Sequence, residues 1–137
     1  MTSLHVLFVD DEQAILDGLR NSLRKERKRW DMTFALGGQQ ALEHMKQTPA
    51  DVVITDMRMP GMSGLEVLEH LKKVSPDTEA VVMTGHASIE TATLAMRLGA
   101  ADYITKPCKL ADIEAVLIRA ADRRELKHKS LALESRV

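Results

Sequence analysis

Val52-Val53-Ile54-Thr55-Asp56 is a short apolar run that ends on a carboxylate, followed by Met57-Arg58-Met59-Pro60-Gly61-Met62-Ser63-Gly64, a loop rich in turn residues. A run of this length bounded by Gly and Pro reads as a buried strand. Ser63, with Glu66 three positions on, makes a capping-box pattern, so a helix is expected over Leu65–Val74. Three other runs repeat the pattern of strand and then reactive side chain. Val6–Val9 stops on Asp10-Asp11, Val81–Met83 stops on Thr84, and Tyr103-Ile104 reaches Lys106 after Thr105. Ligands bind beyond the carboxyl ends of the strands in an open parallel sheet. Four such ends lying side by side would gather three carboxylates, a hydroxyl and an ammonium at one spot.

Helix-like segments fill the intervals. Ile15, Leu16, Leu19 and Leu23 recur at helical spacing, and the basic run Arg24–Arg29 reads as the exposed end of that first helix, where cations favour the dipole. Trp30 then anchors the helix to the fold. Met32–Leu36 is expected as a second strand broken by Gly37-Gly38, with a helix around Ala41–Met45. Ser75-Pro76-Asp77 closes the third helix, Ser88 opens a fourth that Gly99 ends, and Leu110 begins the last. Five βα units in a row predict an α/β, flavodoxin-like doubly wound parallel sheet of order 2-1-3-4-5 with right-handed crossovers. The second strand ends on glycines, which suits an edge strand away from the reactive cluster.

At 137 residues the chain is one domain's worth of core. A net charge of -1 with both signs interspersed gives no electrostatic case for nucleic acid or an anionic membrane as direct partner. The single cysteine, Cys108, excludes an internal disulfide framework and a multi-cysteine zinc site, and reads as a small apolar filler. No apolar stretch approaches a membrane span and the first residues run into a strand, so the expectation is a cytoplasmic protein.

Residue types decide the chemistry. Asp10, Asp11 and Asp56 at one edge repel each other unless a cation sits among them. Oxygen-only ligation completed by water points to Mg²⁺, with Mn²⁺ as substitute. One carboxylate oxygen can then coordinate while the other attacks phosphorus, giving an aspartyl phosphate. Such a transfer needs positioning and charge neutralisation, which Lys106 and Thr84 supply around the equatorial oxygens.

Val9-Asp10-Asp11-Glu12, Thr55–Gly64, Thr84-Gly85-His86-Ala87 and Tyr103-Ile104-Thr105-Lys106-Pro107, in this order on these elements, resemble the receiver domain of bacterial two-component response regulators over about residues 4 to 122. The resemblance implies that Asp56 accepts phosphate from the phosphohistidine of a sensor histidine kinase or phosphotransfer protein. It implies that Asp11 ligates Mg²⁺ directly, Asp10 through water, and Arg58 through its backbone carbonyl. Thr84 and Lys106 would hold the phosphoryl oxygens, and Thr84 with Tyr103 would form the switch. Arg58 and His86 would modulate the rate, His86 by controlling water access. Lys106-Pro107 would be cis, as is common in the family. Such a domain is a phosphoacceptor and not an enzyme beyond its own phosphorylation and slow dephosphorylation.

The surface of the fourth strand, fourth helix, fifth strand and fifth helix would then meet an output domain, another partner or a second copy. The fourth-helix stretch resembles receivers attached to AAA+ transcriptional activators, and also those of hybrid kinases. Residues 1–122 form the expected receiver and 123–137 a helical extension or linker. Three other readings compete. A haloacid-dehalogenase-type phosphatase needs a second Asp two residues after the nucleophile, where this chain has Arg58. A flavodoxin needs a hydroxyl- and glycine-rich phosphate loop, where it has Asp10-Asp11-Glu12. A non-phosphorylated pseudo-receiver, acting as an interaction module, would be expected to have lost one of Asp10, Asp11, Asp56, Thr84 and Lys106, all of which are present.

Overall fold

Strands that are apolar along their whole length need cover on both faces, and the chain supplies it by alternating strand and helix. The computed structural model describes residues 4–85 and 89–134, with side chains through 127. Its elements are β1 (Leu4–Asp10), α1 (Gln13–Ser22), β2 (Trp30–Leu36), α2 (Gly38–Gln47), β3 (Val52–Asp56), α3 (Gly64–Val74), β4 (Glu79–Thr84), α4 (Ile89–Arg97), β5 (Asp102–Thr105) and α5 (Leu110–Glu134). All pairings are parallel and the order is β2-β1-β3-β4-β5, the expected flavodoxin-like arrangement.

The strand period of two divides the core into two layers. Leu7, Val9, Val53 and Val82 pack against Met45 of α2, Val67 and Leu71 of α3 and Ala95 of α4. Val6, Phe8, Ile54, Met83 and Ile104 face the other way, onto Leu16 and Leu19 of α1 and Ile113 and Leu117 of α5. The register sets Val9 beside Thr55, Asp56 beside Met83, and Thr84 beside Thr105, so the carboxyl ends of four strands finish level.

The basic run departs from expectation. α1 stops at Ser22, Leu23 is fully buried at its C-cap, and Arg24–Glu26 form a separate 3-10 turn. Leu23 and Trp30 belong to the same buried cluster, so the chain must turn back between them, which a straight continuation of α1 would prevent. β2 accordingly starts at Trp30, paired with Leu4, two residues before the expected Met32. Ser88, expected to open α4, lies outside the described residues. Ser63 caps α3 as expected, its Oγ accepting the Glu66 N–H at 3.2 Å.

α5 shows no break at Asp122. Arg123 pairs with Glu79 at 3.2 Å, Arg124 with Asp51 at 3.1 Å and Lys127 with Asp77 at 3.6 Å. The start of the expected extension is thus tied to the ends of β3 and β4 opposite the reactive cluster.

Candidate functional site

Asp10 closes β1, Asp56 closes β3, Thr84 closes β4, and Lys106 follows β5 by one residue. Level strand ends turn these separate positions into one constellation. The Lys106 Nζ donates to Asp10 Oδ2 at 3.0 Å and lies 3.2 Å from Asp56 Oδ2. The Glu12 N–H donates to Asp10 Oδ1 at 3.0 Å, so both oxygens of this fully buried carboxylate are engaged. Carboxylate oxygens of Asp10, Asp11 and Asp56 all lie within 4.8 Å of one another.

Three carboxylates face one ammonium, and the imbalance registers on Asp56. Its carboxyl is held above the usual range, first by burial and then by Asp10, with Lys106 and the Arg58 N–H pulling the other way. For Lys106, burial works downward, but the hydrogen bond to Asp10 and the charges of Asp56 and Asp10 outweigh it, so the ammonium is held above its ordinary range. The result is a permanent cation beside an excess of hard, oxygen-only donors, an arrangement able to hold a divalent cation at Asp10, Asp11 and Asp56.

Of the remaining expected residues, Thr84 and Arg58 border this centre. Thr84 is nearly buried, and its carbonyl accepts the Lys106 N–H at 2.8 Å, which ties the end of β4 to the segment carrying the lysine. Arg58 is exposed, its backbone N–H directed at the Asp56 carboxylate. Tyr103 is 40% exposed, so it is not a packed core aromatic. The Lys106-Pro107 bond is cis. Cys108 packs against the α1–α5 layer, and burial pushes its thiol up to about 11, the state of an inert filler. His86 lies outside the described residues.

Gly64 carries a role that the sequence reading assigned only to a turn. Its N–H donates to Met57 O at 3.0 Å, and a Cβ built on it would lie 2.1 Å from the carbonyl oxygen of Asp56. The start of α3 is therefore pressed against the backbone of the Asp56 residue itself. A glycine placed directly after the Ser63 cap, where a good helix former would serve better, was the available signal. A backbone oxygen cannot rotate aside. Gly64→Ala is expected to destabilise the fold by at least the upper part of the usual overpacking range of about 1–3 kcal/mol, read by urea unfolding. An unchanged midpoint would show that α3 can simply slide away.

The same constellation and fold recur in known proteins. The profile of the response regulator receiver domain matches residues 6–118. An NtrX-like response regulator of Rickettsia conorii is 34% identical over 139 aligned positions, which cover all of this chain and 29% of that protein. Among solved structures, NtrX from Brucella abortus superposes with a TM-score of 0.88 at 33% identity, over 99% of this chain and 31% of that one. A receiver domain protein from Clostridium thermocellum gives 0.81 at 32% identity, over 89% of this chain and 97% of that one. The chain thus spans under a third of the NtrX-type proteins but nearly all of a single receiver. Matched in profile, topology and the order of its acidic strand ends, the chain belongs to the response regulator receiver domain family of bacterial two-component systems.

Proposed function

We propose that Asp56 is the phosphoacceptor of this receiver, taking its phosphoryl group from a histidine kinase or a phosphotransfer protein. The observation that carries the assignment is the Lys106 ammonium at 3.2 Å from Asp56 and 3.0 Å from Asp10. It fixes one Asp56 oxygen and stands where phosphoryl oxygens develop charge. Thr84, at the adjacent strand end, would supply a hydroxyl to the same phosphoryl group.

The donor set fits Mg²⁺, with Mn²⁺ as substitute: Asp11 directly, Asp10 through water, and the Arg58 carbonyl and Asp56 completing the protein's share. When bound, such an ion neutralises charge on the incoming phosphoryl group. Both Asp10 oxygens already have partners, whereas Asp11 is the freer and half-buried member. Asp11→Ala is therefore expected to lose most of the metal response and Asp10→Ala less. The check is acetyl-phosphate labelling titrated with Mg²⁺ and with EDTA. Labelling indifferent to the chelator, or selective tight zinc binding, would refute the metal assignment.

Output passes through the face formed by α4, β5 and α5. Ile89, Met96, Tyr103 and Ile118 are large apolar side chains left exposed on these elements, Ile89 at 88%. Such side chains favour a docking partner, whether an output domain, another protein or a second copy. The resemblance of the fourth-helix stretch to receivers attached to AAA+ transcriptional activators favours control of transcription as the output.

A further inference from the structure

The far edge of the sheet carries a second surface unconnected with phosphate transfer. β2 is an edge strand, and a cleft of about 1070 Å³ runs along it, lined by Arg20, Arg24 and Arg27 on one side and by Trp30 through Phe34 on the other. Arg24 and Arg27 are exposed. Among the described residues neither pairs with a carboxylate: Arg24 bonds the Asn21 amide oxygen and Arg27 a backbone carbonyl. The one carboxylate paired with Arg20 among the described residues is the exposed Asp17, at 3.7 Å.

The edge also presents backbone. The Gly37 N–H points inward to Asp10 O, while the Leu36 N–H points outward and is taken by Gln40 Oε1. Successive residues of a strand alternate in direction, so the N–H and C=O groups of Phe34 and Met32 also face outward, where among the described residues no sixth strand covers them. On the opposite side of the same edge lies a shallower groove with Gln40, Glu43 and Gln47.

We propose that this edge binds an extended acidic peptide segment of a partner protein, which adds to the sheet as a sixth strand beside β2. Every second side chain of an added strand falls on the α1 face, where carboxylates meet Arg20, Arg24 and Arg27. The alternate ones fall on the α2 face beside Asp31 and Glu43, which selects neutral or basic residues there. A second copy of the chain is a poor occupant, because antiparallel pairing of two β2 edges puts both arginine clusters on one face. Single-stranded nucleic acid is a poor one too. The aromatic faces it would stack on are already covered, Phe34 by Arg20 at 4.7 Å and Trp30 by Arg29 at 4.6 Å.

Trp30 is the only tryptophan in the chain, so its fluorescence reports on the cleft directly. The probe is an end-blocked peptide alternating glutamate and threonine, about nine residues long to match an ordinary strand. Saturable fluorescence change is expected, with slowed amide exchange at Met32 and Phe34. Arg24→Glu combined with Arg27→Glu should weaken binding by roughly tenfold or more and remove most of its salt dependence. Both arginines are exposed and far from Asp56, so acetyl-phosphate labelling of the double variant should equal wild type. Equal affinity for the same peptide N-methylated on its pairing edge, or for single-stranded DNA of matched charge, would overturn strand addition in favour of a plain anion site. Absence of saturation, or indifference to the charge reversal, would overturn the site itself.

Discussion

Asp56→Asn is expected to abolish uptake of phosphate from acetyl phosphate and Mg²⁺, while making the metal-free domain harder to unfold. The wild-type chain should gain one acid-stable, hydroxylamine-labile phosphate. The amide keeps the shape of the carboxylate but has no charged oxygen to attack phosphorus, so no route to the acyl phosphate remains. Stability moves the other way because the Asp56 carboxyl is raised by burial and then by Asp10. The unfolded chain gives up this proton in the ordinary carboxylate range, and the fold only at higher pH. Stability linked to the protonated form is therefore complete below that ordinary range and is lost as pH rises through the raised value. A neutral amide escapes the loss. Lys106 keeps Asp10 at 3.0 Å, so the substitution does not strand the ammonium. Urea unfolding in EDTA, from mildly acidic to neutral pH, should show wild type falling behind Asp56→Asn as pH rises. Labelling of the variant at the wild-type rate would sink the acceptor assignment. A less stable variant would mean that the Lys106–Asp56 attraction outweighs the repulsion from Asp10.

The parts of this site that could be read from sequence are those written in one dimension. Val52–Ile54 is apolar because β3 is covered on both faces, and it changes character at Asp56 because the strand leaves the core there. The same logic located Asp10, Thr84 and Lys106. What sequence could not show is which oxygen the lysine holds. That depends on the register of β1, β3, β4 and β5 and on where the segment after β5 turns. Arg24–Arg29 misled because a charged run has no periodicity, and the turn within it is set by Leu23 and Trp30, whose burial only the assembled core reveals. The pairs from α5 to Asp51 and Glu79 join residues far apart in the chain and leave no local trace. Tyr103 was legible in principle, since alternation along β5 that buries Ile104 must turn its neighbours outward. The overall charge of -1 likewise hides a cleft with three arginines, because a sum over the chain says nothing about where like charges gather.

Thr84→Ala is expected to leave phosphate uptake at Asp56 intact while uncoupling it from the α4-β5-α5 face. Phosphorylation puts a group of roughly two negative charges where the carboxylate carried one, which can move a two-state domain only through contacts that differ between the states. Thr84 and Lys106 offer such contacts. They sit at adjoining strand ends, joined by the Lys106 N–H to Thr84 O bond of 2.8 Å, and with Lys106 already 3.2 Å from Asp56 a phosphoryl group there would draw the end of β4 inward. Tyr103, which pairs with Val82 in the ladder and is turned outward here, would then fill the space this opens. A lost hydrogen bond to a charged group is worth about 1.5–3 kcal/mol, or roughly ten- to a hundredfold in the switching equilibrium. That is a large part of the factor of about 10⁴ needed to carry a domain from almost wholly inactive to almost wholly active. Amide spectra with and without beryllofluoride should show wild-type shifts spreading through residues 84–115, and the Ala variant shifting mainly near Asp56. Wild-type changes confined to the Asp56 loop would rule out a switch of this kind, because the exposed Ile89 and Met96 would present the same surface whether or not phosphate was bound.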